Sequence, residues 1–351
     1  LGNQTGSIVV MEPQSGRLLA LVTNPSYDNN VFVGGLSQKD WVALRDDPFH
    51  PLQNRAIQSV YPPGSVWKLM MAGLFLKEGI SPSFRVVCTG AVKLGNREFR
   101  CWRKGGHGAV DMIQSLLHSC DVYYYVLGEK LGIDRIENFA KACGFGAPTG
   151  IDLPHEKSGL VPSKAWKKRR SGEAWYRGET LNVSIGQGYT LVTPLQLANF
   201  VSSLLNGGKL MKPQLLVDAK PEVRGNIPFS EEARKLVLEG MRVTADVGTA
   251  KVLRRTDAVI GGKTGQVVKI RMVGERRQRT AEMAYLERDH AWIASYGRKD
   301  GKDVVVVVML EHGGGGSSAA GPVARDVYNI LYGTPLGPQP QRAVTRTVRE
   351  D

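Results

Sequence analysis

The stretch Tyr61-Pro62-Pro63-Gly64-Ser65-Val66-Trp67-Lys68, with the apolar run Leu69 to Leu76 behind it and Gly79 at its end, decides how this chain reads. Two prolines and a glycine break any helix before Ser65, and the uncharged run that follows predicts a helix of about four turns stopping at Gly79. Ser65 then stands at the helix start, and a spacing of three puts Lys68 one turn on, over the same face. A hydroxyl is a weak nucleophile until a base takes its proton. Lys68 has Leu69, Met70, Met71, Leu74 and Phe75 around it, apolar company of the kind that lowers an amine's pKa. One such triplet is equally what a helix-capping serine and a snorkelling lysine would give.

Two further motifs favour the chemical reading. Ser119-Cys120-Asp121 falls between two helical stretches, Val110 to His118 and Val122 to Lys130, and Lys263-Thr264-Gly265 ends a short strand from Ala258. Ser-x-x-Lys, Ser-x-Asn/Asp and Lys-Ser/Thr-Gly, in that order and in those contexts, form the constellation of serine enzymes that acylate on Ser65-like residues. Ser65 would attack a carbonyl, Lys68 take its proton and Ser119 relay it to the leaving amine. Asp121 completes the second motif, and Lys263 holds positive charge nearby. Thr264 suits a substrate carboxylate, and the backbone N–H groups of Ser65 and of the residue after Gly265, Gln266, would form an oxyanion hole.

Working outward, Ser7 to Met11 and Leu18 to Thr23 predict a hairpin across Pro13-Gln14-Ser15-Gly16. His290 to Tyr296 and Val304 to Leu310 predict a second, across 297–301. Between them come helices over 133–143, from Pro194 to Gly207 and after Ser230, with 25–54 irregular and 145–190 mostly loop. A last helix covers 322–331. Strands at both ends and helices in the middle argue an α+β fold whose termini meet in one mostly antiparallel sheet. From residue 335 to 351 the chain reads as a disordered basic tail.

Beyond the three motifs, Asn54-Arg55-Ala56-Ile57-Gln58-Ser59-Val60 before Tyr61, Asn182-Val183-Ser184-Ile185-Gly186-Gln187-Gly188-Tyr189 with Thr193-Pro194, and Leu310-Glu311-His312 with Gly313 to Gly316 carry a family likeness. Over residues 6–333 the chain resembles the transpeptidase domain of the penicillin-binding protein 2 family, the class B, elongation-type enzymes of peptidoglycan synthesis. That resemblance implies a β-lactamase/transpeptidase-like fold over 1–334: a five-stranded sheet from both chain ends, an all-helical subdomain over about 65–208, and the active site between them. It implies D,D-transpeptidation of stem peptides ending in D-Ala-D-Ala, with β-lactams acylating the same serine and no organic cofactor. It also implies a SEDS-type glycan polymerase and elongation-complex proteins as partners. The location it implies is the periplasmic face of the inner membrane, through a single-pass anchor upstream of Leu1. A D,D-carboxypeptidase, a β-lactamase and a non-catalytic β-lactam sensor share the same motifs. One departure stands out: relatives continue the third motif with Thr-Ala-Gln, whereas Gln266-Val267 follows Gly265 directly, as if two residues were missing from the sequence or the strand edge were shorter.

Cys88, Cys101, His107 and Cys120 gather between the first and second motifs, and three thiols with one imidazole make a complete tetrahedral zinc set. A disulfide or free buried thiols remain alternatives on spacing alone; the family likeness favours a structural metal at these four positions. Cys143, on an apolar helix face, reads as core. The formal charge of +13 comes with no nucleic-acid motif, so an acidic surface or polymer is the expected partner class. The basic run Lys164 to Arg170 reads as a solvated loop. No apolar run approaches membrane-spanning length.

Overall fold

In the computed structural model, residues 1–267, 272–273, 276–277 and 284–333 are described. The tail expected over 335–351 lies outside them. Five strands, β1 (Gly6–Met11), β2 (Leu18–Asn24), β3 (Val259–Val267), β4 (His290–Lys299) and β5 (Lys302–Leu310), form one antiparallel sheet. Their order is β2-β1-β5-β4-β3, so the chain's first hairpin and its last strands meet at β1 and β5, with Val9 opposite Val307.

Both faces of this sheet are buried, and the strands alternate between them. Val9, Met11, Trp292, Ala294, Val305, Val307 and Met309 join the core shared with the helices. Ile8, Val10, Ile293, Val306 and Val308 pack with Val323, Ala324 and Tyr328 of the C-terminal helix Gly321–Tyr332. A period of two with both faces apolar explains why β5 reads as an unbroken run of valines. β3 is left at the sheet's edge, its outer side toward the nucleophile turn.

The helix predicted behind Ser65 begins as a 3₁₀ turn, Gly64–Trp67, and becomes α-helical at Lys68–Lys77. It is buried nearly all round: Lys68 to Phe75 are all inside. Around it stand Met112–Leu117, Asp121–Leu131, Ile133–Ala142 and Pro194–Leu205. The last carries the expected Thr193 cap and first-turn proline.

Three expectations need correction. The helical part is not all-helical: Val86–Cys88 pairs with Gly108–Val110, and Ala91–Leu94 with Arg97–Arg100. These short ribbons are too brief and glycine-broken to show as a pattern. The run 164–170 is a helix, Lys164–Ser171, because Ser163 caps it by accepting from the Trp166 N–H. Its charges are partly turned inward, with Lys167 paired to Glu179 at 2.5 Å. The segment 25–54 contains a capped helix, Gln38–Arg45, and 145–190 a second, Arg177–Ser184.

Candidate active site

Gly64 fixes the nucleophile turn. Its φ of 55° suits glycine, and a Cβ there would lie 2.5 Å from the Gln266 carbonyl oxygen. The same turn is pinned by Gly64 N–H to the Gly186 carbonyl at 2.9 Å and by the Trp292 indole to the Pro62 carbonyl at 3.0 Å. Ser65 is half-buried, and among the described residues its hydroxyl makes no hydrogen bond to protein, so it does not cap the helix.

Lys68 is fully buried and surrounded by acceptors as well as by the expected apolar side chains. Its Nζ donates to Asp121 Oδ1 at 2.6 Å, to the Ser119 carbonyl at 2.9 Å and to Ser119 Oγ at 3.4 Å. Tyr124 lies with its ring 5.3 Å away. Ser119 itself adopts φ 52°, an uncommon left-handed conformation for a non-glycine residue, at the break between the helices that end at Leu117 and begin at Asp121. From the sheet side, Lys263 Nζ donates to Ser119 Oγ at 2.9 Å and to the Thr264 carbonyl at 3.0 Å. Burial, reinforced by the charge on Lys68, holds Lys263 well below the ordinary lysine pKa, against a smaller opposing pull from Asp121. The three motifs thus converge on one hydroxyl, that of Ser119.

The third motif runs without a break. β3 pairs with β4 from Val259 to Val267, with Gly265 opposite Trp292 and Gln266 opposite Ala291, so direct succession of Gly265 by Gln266 does not interrupt the strand edge. The Gln266 carbonyl accepts from Gln187 Nε2 at 3.0 Å, which turns the backbone N–H of the same residue toward the open edge and the nucleophile turn. The Gln266 side chain donates to buried Asp289 at 2.6 Å. A Cβ on Gly265 would fall 2.9 Å from the Pro63 carbonyl, so strand and turn are in direct contact. The Thr264 hydroxyl donates to Thr249 Oγ1 at 2.8 Å.

The ligand atoms of Cys88, Cys101, His107 and Cys120 all lie within 4.8 Å of one another. The short ribbons build this cluster: Cys88 is opposite Gly108, beside His107, and the Cys101 N–H donates to the Gly90 carbonyl at 2.8 Å. His107 Nδ1 is 3.6 Å from Cys88 Sγ and 3.5 Å from Cys101 Sγ. All four cysteines are free, which removes the disulfide alternative from this conformation, and Cys143 is buried core as expected. The Cys120 thiol donates toward Cys101; this holds Cys101 down at about 5 and pushes Cys120 upward, so one thiolate is already favoured. Sulfurs around zinc at ~2.3 Å stand ~3.8 Å apart in a tetrahedron, a spacing that this cluster accommodates.

Residues 6–329 match the penicillin binding protein transpeptidase domain. The chain belongs to that family. Among relatives, the peptidoglycan D,D-transpeptidase MrdA of Acinetobacter baumannii is 36% identical over 317 residues, covering 87% of this chain and 47% of its own. That of Haemophilus influenzae is 35% identical over 343 residues, covering 93% and 53%. Among solved structures, penicillin-binding protein PBP2 of Helicobacter pylori, in complex with MreC, superposes with TM-score 0.85 at 33% identity, over 94% of this chain and 60% of that one. The chain spans about half the length of the curated relatives it matches.

In this penicillin-binding transpeptidase domain Lys68, Ser119, Asp121 and Lys263 are joined by hydrogen bonds, Thr264 follows Lys263, and Gly265 and Gln266 pack against the turn that carries Ser65. Three contributors were not foreseen. The Trp102 backbone N–H donates to Asp121 Oδ2 at 3.1 Å, and Thr249 and Asp289 meet the third motif from elsewhere in the chain. None has a sequence signal: one acts through its backbone, and the others are common polar residues delivered by packing.

Proposed function

We propose that this chain, over 1–334, is the catalytic domain of a peptidoglycan D,D-transpeptidase that is acylated on Ser65. The observation that carries this reading is the convergence of Lys68 and Lys263 on the Ser119 hydroxyl, with the turn that bears Ser65 packed against the strand that bears Lys263. Ser65 Oγ attacks the carbonyl of the penultimate D-Ala of a stem peptide while Lys68, acting as the neutral amine, takes its proton and becomes the ammonium that Asp121 and the Ser119 carbonyl hold. Charge developing on the carbonyl oxygen is met by the N–H groups of Ser65 and Gln266. The C–N bond then breaks, and the terminal D-Ala leaves as an amine that receives its proton through Ser119. Lys263 and Thr264 meet the substrate's carboxylate. In the second half-reaction an amine from a neighbouring stem attacks the ester. The bond between the carbonyl carbon and Ser65 Oγ breaks, Oγ takes up the proton that the attacking amine gives up, and an amide cross-link remains.

Cys88, Cys101, His107 and Cys120 hold a structural zinc in this proposal. The metal takes no part in acyl transfer; it ties the 88–107 stretch to Ser119 and Asp121. Support comes from Asp121, whose backbone N–H donates to Cys101 Sγ at 3.4 Å while its carboxylate accepts from Trp102. The elongation partners are proposed from the neighbours: the H. pylori structure is a complex with MreC, and another solved structure is of a peptidoglycan synthase complex; the inner-membrane anchor and the periplasmic face are proposed from the family resemblance alone.

A thiolester stem-peptide mimic ending in a D-residue, offered with and without an amine acceptor, tests the proposal. Partition of the acyl group to the amine is expected. Hydrolysis alone would make the chain a carboxypeptidase, and no turnover would leave a sensor.

A further inference from the structure

The turn that follows the helix Glu231–Val247 places a hydroxyl beside the third motif. Gly248 is pressed against the helix that leads to Ser119: a Cβ there would lie 2.6 Å from Leu117 Cδ1 and 2.8 Å from the Leu117 carbonyl oxygen. The Ala250 N–H closes the turn onto the Thr244 carbonyl at 3.1 Å. Thr249, between them, is held with its Oγ1 2.8 Å from that of Thr264. Thr264 is 8% exposed, whereas Thr249 is half-exposed, the more accessible of the two.

A carboxylate offers two oxygens with about four acceptor sites and needs more than one donor. Thr264 supplies one hydroxyl. Gln266, which stands directly after Gly265, brings no hydroxyl, and one of its two amide N–H donors is tied to Asp289 at 2.6 Å. Of the two hydroxyl protons in the Thr264–Thr249 pair only one is used between them; the other has no protein acceptor among the described residues. Thr264 follows Lys263 in the strand, and among the described residues the Lys263 ammonium donates to a hydroxyl and a carbonyl and to no carboxylate.

We propose that Thr249 is a substrate-binding residue, the second hydroxyl that grips the terminal carboxylate of the donor stem peptide or the carboxylate of a β-lactam. The assignment rests on the transpeptidase reading. On binding, the carboxylate accepts from Thr264 and Thr249 together, Thr264 turning its proton from Thr249 toward the ligand and Thr249 offering the proton that it does not share.

The test compares second-order acylation of Ser65 by benzylpenicillin and by its methyl ester, which lacks the anion. A hydrogen bond to a charged group corresponds to about a ten- to hundredfold change in rate. Thr249→Val, which keeps the shape and removes the hydroxyl, is expected to slow acylation by the acid about tenfold or more and to change the ester's rate less than about twofold. Thr249→Ser is expected to restore the acid's rate. Equal slowing of both probes, or no slowing of either, would overturn the assignment and leave Thr249 a packing residue. Absence of any adduct on the unmodified protein would remove the transpeptidase reading itself, and this proposal with it.

Discussion

The two sides of Ser119 are built differently. On the helical side, Asp121 is gripped three ways: its carboxylate accepts from Lys68 at 2.6 Å and from the Trp102 N–H at 3.1 Å, and its own N–H meets Cys101 Sγ. On the strand side, among the described residues, Lys263 donates to a hydroxyl and a carbonyl and to no carboxylate, and Thr264 donates its hydroxyl to Thr249. The first arrangement over-determines the groups to which the proposed mechanism gives the proton. The second leaves positive charge and donor capacity unspent, which is what a site for an anionic substrate requires. Geometry is invested on one side and electrostatic deficit on the other.

The comparison breaks most visibly at Asp121. Asp121→Ala leaves a fully buried ammonium without its carboxylate, and removing one partner of such a pair costs about 3–5 kcal/mol. Denaturant unfolding should show that loss, and penicillin acylation should fall with it. A change below about 1 kcal/mol would mean that the pair behaves like a surface bridge.

Metal removal probes the same side from further out. Elemental analysis of protein purified without added metal should give about one zinc per chain. Zinc present at a hundred times its dissociation constant adds about 2.7 kcal/mol, so chelation should lower the unfolding midpoint accordingly. Protein that carries no zinc and unfolds identically with and without chelator would contradict the structural-metal assignment.

The strand side gives the smallest effect, and it is read through pH. Lys263 titrates well below 10.5 when folded. Between that depressed value and 10.5 the unfolded chain binds more protons, so this residue's contribution to stability rises with pH across that window, by at most about 1.4 kcal/mol per pH unit. Lys263→Met removes the slope. The variant should gain most over the parent protein at the acid end of the window and lose that advantage as pH approaches 10.5. A difference independent of pH would show that Lys263 has an ordinary affinity for its proton.

The sheet was legible because its cause is local: the alternation in Ile8 to Met11 and the valines of β5 specify strands, and the motif order specifies how the ends meet. Ser65, Lys68, Ser119 and Lys263 were legible for a related reason, since each lies at a helix start, a helix break or a strand end that glycine and proline mark. The helix at Lys164–Ser171 was not, because its only start signal, Ser163, is outweighed by a run of cations that reads as solvated. Lys68's dependence on Asp121 was half legible; the residue was singled out, but its buried pairing depends on two helices meeting. Trp102 and Thr249 were hidden because nothing in their immediate sequence records what the fold brings beside them.

The proposed function stands or falls on acylation of Ser65. Intact mass followed over time after a pulse of benzylpenicillin, with peptide mapping of the product, tests it most directly. One stable penicilloyl adduct is expected, mapped to Ser65 and absent from Ser65→Ala. An adduct on another residue, or none, would contradict it.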